Sequence, residues 1–153
     1  MPGGERTRIE VMAMLGTDGA HLPREHVWPE GHWDWFVHLP YKHGLKCSNM
    51  VFVGGQVSKN EKGVMIDPDD LVAQTHTVMD NLAGVLAGFG LGLDDVVKQN
   101  AFYKGESHPT AIVENQRIRS ARYAEPACAS TGVPLPYLNL KGMDIEVEVI
   151  AMT

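Results

Sequence analysis

Cysteine is scarce in this chain: Cys47 and Cys128 are the only two among 153 residues. Two thiols are too few for a disulfide framework, and in a reducing compartment both are expected to be free. Basic charge is also in deficit. Thirteen Lys and Arg face 19 Asp and Glu, a formal net charge of −6, so no cationic field draws phosphate backbones and nucleic acid is not an expected partner. No window holds the roughly 18 consecutive apolar residues of a membrane helix. The N-terminus lacks a basic segment followed by an apolar signal core. A membrane is therefore not an expected partner either, and the expected location is the cytoplasm. No repeat or linker divides the chain. A hydrophobic content of 44% over this length fits one domain with its own core.

What the chain does have is an unbroken apolar run closed by paired glycines, Asn49-Met50-Val51-Phe52-Val53-Gly54-Gly55-Gln56. Without an alternating polar face, such a run is expected to be a strand shielded from water on both sides. Gly54 and Gly55 are expected to end it in a turn or bulge where a ligand or another backbone comes close. A partner strand over residues 42–47 should pair with it through a tight Ser48-Asn49 turn. Residues 34–39 alternate, with Trp35, Val37 and Leu39 on one side, and predict a further half-buried strand. Residues 1–33 show no periodicity and predict an irregular arm.

Asp67-Pro68-Asp69-Asp70 carries helix-start chemistry, with Asp67 as cap and Pro68 in the first position. Leu71, Thr75, Val78, Leu82, Val85 and Phe89 then recur at three and four residues and predict a long amphipathic helix stopping near Gly90. A strand over 95–103, a helix from Ser107-His108-Pro109 to about Tyr123, and strands over 126–133 and 144–152 follow. The last strand alternates strictly, Ile145, Val147, Val149 and Ala151 against Glu146, Glu148 and Ile150. The expected architecture is α+β: a mixed sheet of about six strands with two helices on one face. The other face needs a cover, and a second copy of the chain is the simplest one.

Five of the seven histidines and all three tryptophans lie between residues 21 and 43. The histidines are five or six residues apart, and no paired-ligand motif such as His-Glu-x-x-His or Cys-x-x-Cys occurs. Packing and hydrogen bonding are the expected roles, with no metal and no cofactor.

Several runs in this order resemble the Rid family, the reactive intermediate deaminases also called the endoribonuclease L-PSP family. They are Pro40-Tyr41-Lys42-His43-Gly44, the run from Asn49 to Gln56, the helix after Asp67, the strand over 95–104, Pro126-Ala127, and the ending Ile145-Glu146-Val147-Glu148-Val149-Ile150-Ala151. The resemblance spans residues 40–153. It implies a chorismate-mutase-like fold, a homotrimer around a central barrel, and intersubunit clefts that take small carbonyl or imine compounds. It further implies hydrolysis of enamines and imines, with Tyr41 and Glu146 as catalytic groups and the Gly54-Gly55 turn lining the substrate site. The family pattern has an arginine after Pro-Ala; here Cys128 follows Ala127. Without that guanidinium, a substrate carboxylate should bind at least about tenfold more weakly.

Each of these residues also has a plainer role. Glu146 alone reads as a solvated side chain, and Tyr41 as a packed aromatic. Cys128 reads either as a nucleophile or as a small buried hydrophobe. His43, two residues beyond Tyr41, reads as a proton carrier beside the cleft or as part of the strand's packing. Two functions follow: a hydrolytic deaminase of a small enamine or imine, or a non-catalytic trimer that binds a small metabolite.

Overall fold

The computed structural model describes residues 11–105 and 107–153. Six strands form one sheet: β1 (Arg24–Val27), β2 (Gly44–Cys47), β3 (Met50–Val57), β4 (Val96–Lys104), β5 (Ala129–Leu135) and β6 (Ile145–Met152). Their order across the sheet is β1-β2-β3-β6-β4-β5. All neighbours run antiparallel except β4 and β5. The parallel pair needs a crossover, and helix α2 (Pro109–Ser120) supplies it. Helix α1 (Leu71–Ala87) links β3 to β4 through a single 3-10 turn at Leu93–Asp95.

Both helices contribute to one face, as the α+β reading expected. The stripe from Leu71 through Thr75, Val78, Leu82 and Val85 is buried, and Phe89 is partly buried. It packs on Val51, Val53, Ile145, Val147, Val149 and Ala151 of β3 and β6. Each such aliphatic side chain contributes about 1.5–3 kcal/mol by leaving water. Among the described residues no helix is long and apolar enough to cross a membrane.

Four local expectations are corrected. Residues 34–39 form no strand: Phe36 and Val37 are exposed, and the Trp35 ring instead stacks on His43 with centroids 4.7 Å apart. Stacking of one ring fixes the chain there without a hydrogen-bonded ladder. The sixth strand is β1, drawn from the stretch expected to be irregular, and it pairs along β2. Residues 1–10 of that arm lie outside the described residues. Third, α1 is capped by Asp70, whose carboxylate accepts from the Val72 and Ala73 amides at 3.1 and 3.0 Å. Asp67 has φ 49°, in the left-handed region, and its carbonyl accepts from the Gln74 side-chain amide. Fourth, Gly54 and Gly55 do not end β3; they form a bulge within it, where its register with β6 shifts between Val53 and Gln56.

Met50 and Phe52 are also less covered than an all-round apolar strand implies. Val51 and Val53 are buried, while Met50 and Phe52 are half-buried on the face away from the helices.

Candidate functional site

Strand alternation places Glu146 on the face opposite Ile145 and Val147, at the edge of a cleft of about 500 Å³. Arg24, Trp35, Tyr41, Gly54 and Gly55 line the same cleft. The bulge explains how the carboxylate fits. A Cβ on Gly55 would come within 2.7 Å of the Glu146 carboxyl carbon, so a larger residue would push that carboxylate aside, and glycine lets it sit where it does. Gly54 has no comparable crowding, and its amide already donates to the His43 carbonyl at 2.9 Å.

Glu146 is not the solvated side chain that alternation alone suggested. Burial pushes its carboxyl above the usual range, and the neighbouring Glu148 charge adds to this, while Lys59 acts in the opposite direction. A carboxylate so placed is a stronger base than one in water and takes a proton from a bound water more readily. Asn100 donates to Glu148 at 2.9 Å and holds that second carboxylate in place. Tyr41 is exposed at the cleft rim, with its ring 6.4 Å from that of Trp35.

His43 does not reach the cleft. It is 1% exposed, walled by Trp28, Trp33, Trp35 and His32 with ring centroids between 4.2 and 4.7 Å away. Its Nε2–H donates to the Trp33 carbonyl at 2.8 Å, and its Nδ1 accepts from Gln56 at 3.4 Å. That pair of bonds requires neutral imidazole. Burial, reinforced by the His32 charge, lowers the His43 pKa to about 4, against the smaller opposing effects of the Trp33 carbonyl and Asp34. Gln56 also donates to the Gly54 carbonyl at 3.0 Å and accepts from His32 at 2.8 Å. The histidine cluster thus buttresses the bulge from behind. Among the described residues no three His, Cys, Asp or Glu side chains converge in a way that could hold a metal ion.

Ala127 and Cys128 are elsewhere, just before β5. Ala129 pairs with Lys98, whereas Glu146 pairs with Phe102, four residues further along β4. Four residues of strand are about 13 Å, so one chain does not bring Cys128 to Glu146. Cys128 is a free thiol, partly buried, and its burial raises the thiol pKa, which is unfavourable for a nucleophile. Beside it lies a group with no sequence signal of its own, Arg119, whose guanidinium reaches toward Cys128 from α2. Arg24 was equally hidden, because its cleft position depends on β1 pairing with β2.

The family model for endoribonuclease L-PSP matches residues 36–153. Among curated proteins, the RutC family protein YjgH of Escherichia coli is 28% identical over 133 residues, 85% of this chain and 95% of that protein. The 2-iminobutanoate/2-iminopropanoate deaminase of E. coli is 34% identical over 65 residues, 42% of this chain and 50% of that one. A solved structure of protein YjgH superposes with a TM-score of 0.72 at 26% identity, over 84% of this chain and 95% of that chain. The sheet and its two helices are the chorismate-mutase-like arrangement of such neighbours.

Proposed function

This chain belongs to the endoribonuclease L-PSP family, the Rid proteins, and from that premise we propose that it is a hydrolytic deaminase of a small enamine or imine. The observation that carries the reading is Glu146: a carboxylate made more basic by burial, seated against a glycine bulge where any larger residue would push it aside, in an open cleft. A relative whose name is that of an imine deaminase supports the same chemistry.

In the proposed reaction one imine and one water give one carbonyl compound and one ammonia. Glu146 accepts a proton from water as the water oxygen bonds to the imine carbon and passes it to nitrogen, giving a carbinolamine. It then takes the hydroxyl proton and passes that to the amine nitrogen, so that the carbon–oxygen double bond forms as the carbon–nitrogen bond breaks and ammonia departs. Tyr41 at the rim donates a hydrogen bond to the substrate nitrogen. Gly55 supplies clearance for the carboxylate, and the Gly54 amide, bonded to His43, takes no part. The cleft is proposed to be completed by a neighbouring subunit in a homotrimer, which would cover the half-buried Met50, Phe52 and Ile150.

The test is ammonia release from a panel of small imines, generated in situ, by the wild type and by Glu146→Gln. The expected result is release by the wild type and a loss of at least about 100-fold in the variant. No release from any imine, or full activity in Glu146→Gln, overturns the proposal.

A further inference from the structure

A charged side chain that is 94% buried normally has an opposite charge beside it, because an isolated buried ion is costly. Arg119 is only 6% exposed, yet among the described residues no carboxylate pairs with it. Its Nε–H donates to Asn115 Oδ1 at 2.9 Å, and Asn115 is itself fixed by donating to Thr75 Oγ1 at 2.9 Å. The ionisable groups that act on the guanidinium are two phenols and a thiol, those of Tyr123, Tyr103 and Cys128, and none is a carboxylate. The terminal nitrogens make no hydrogen bond among the described residues, and Arg119 lines a cavity of about 290 Å³ with Gln99, Tyr123, Cys128 and Ser130.

That cavity is polar and already aligned. Tyr123 donates to Gln99 Oε1 at 2.8 Å, and Gln99 donates to Ser130 Oγ at 3.1 Å, which leaves the Ser130 proton available to an incoming acceptor. Lys98, bonded to Thr131, adds positive charge near the Cys128 side. Held by its Nε, the guanidinium presents two parallel N–H groups, the fork that matches the two oxygens of a carboxylate. The volume admits only a small acid.

We propose that this cavity between α2 and the start of β5 is a binding site for a small organic carboxylate, gripped by Arg119. Sequence position 128 had suggested that the chain lacks a guanidinium for acids; α2 delivers one to the same corner from another element. The inference deepens the deaminase reading, and rests on it for the claim that the carboxylate belongs to the substrate. It replaces the expectation of weakened carboxylate binding with the opposite one.

The experiment titrates propanoate and neutral propanamide into the full protein while following the Arg119 Nε–Hε resonance by NMR. Propanoate should move that resonance and bind at least about tenfold more tightly than propanamide. Arg119→Gln should lose the preference. Cys128→Asp, which places an internal carboxylate beside an intact Arg119, should lose it too while keeping its melting temperature, so a folding defect is not confused with a lost site. Equal binding of acid and amide, or a preference that survives Cys128→Asp and instead follows Arg24→Ala, overturns the inference. Ammonia release separates it from the deaminase reading. Neutral imines turned over as fast as carboxylated ones sink the substrate assignment alone. Carboxylate binding at Arg119 with no ammonia from any imine sinks the deaminase reading and leaves the site standing.

Discussion

Glu146 and Glu148 occupy the same face of β6, and the second raises the proton affinity of the first. In the proposed reaction the base is ionised Glu146, so activity should fall on acidification through a pKa above the usual glutamate value of 4.5. Glu148→Gln removes one of the two causes of that rise. A pH–rate profile of the variant should therefore show its acid limb displaced to lower pH, while the plateau stays within a few-fold of wild type. Gly55→Ala tests the clearance argument. The added methyl would displace the Glu146 carboxylate, so ammonia release should drop at least about tenfold, with melting changed by a few degrees at most.

At the scale of elements, two predictions concern stability. Asp70 rather than Asp67 caps α1, so Asp70→Ala should cost about 1 kcal/mol in denaturant melts and Asp67→Ala markedly less. The second concerns the aromatic box behind the glycine bulge. His43 has a folded pKa of about 4 against the ordinary 6.5, so between those values the unfolded chain binds more protons. Stability from neutral His43 is therefore complete above pH 6.5 and is lost as pH falls toward 4. Three tryptophans surround the imidazole, so intrinsic fluorescence should report the loss, and His43→Gln should flatten that part of the stability–pH curve.

On the scale of the whole molecule, Glu146 and Arg119 stand at different ends of β4 within one chain. For one substrate to meet both, two copies must share each site, as the proposed trimer requires. Light scattering at micromolar concentration should give the mass of three chains; a monomer would sink the shared site. Subunit mixing gives a sharper reading. Glu146→Gln and Arg119→Gln should each be inactive alone on carboxylated imines. Equal amounts refolded together should recover about one quarter of wild-type activity, since one interface in four unites two intact halves.

Periodicity determined α1 and the alternation of β6, because burial of one face repeats every 3.6 or 2 residues and needs no distant information, while a helix-start signal gave α2 and an apolar run with a tight turn gave the β2–β3 hairpin. The ordered runs from Pro40 to Ala151 were likewise enough to identify the family. Local pattern did not decide the rest. Residues 34–39 alternate like a strand, but the stacking of Trp35 on a histidine eight residues later overrides that alternation. Arg24–Val27 shows no pattern and becomes a strand because the edge of β2 offers unpaired backbone. His43 and Cys128 stand beside motif residues in the chain, yet one is sealed in an aromatic box and the other lies about 13 Å of strand from Glu146. Arg119 sits in a helix whose amphipathicity is weak, and it becomes a buried cation with no carboxylate partner among the described residues only once the fold sets α2 beside Gln99 and Cys128. Burial of charge is a property of the packed whole, and tertiary structure alone decided it.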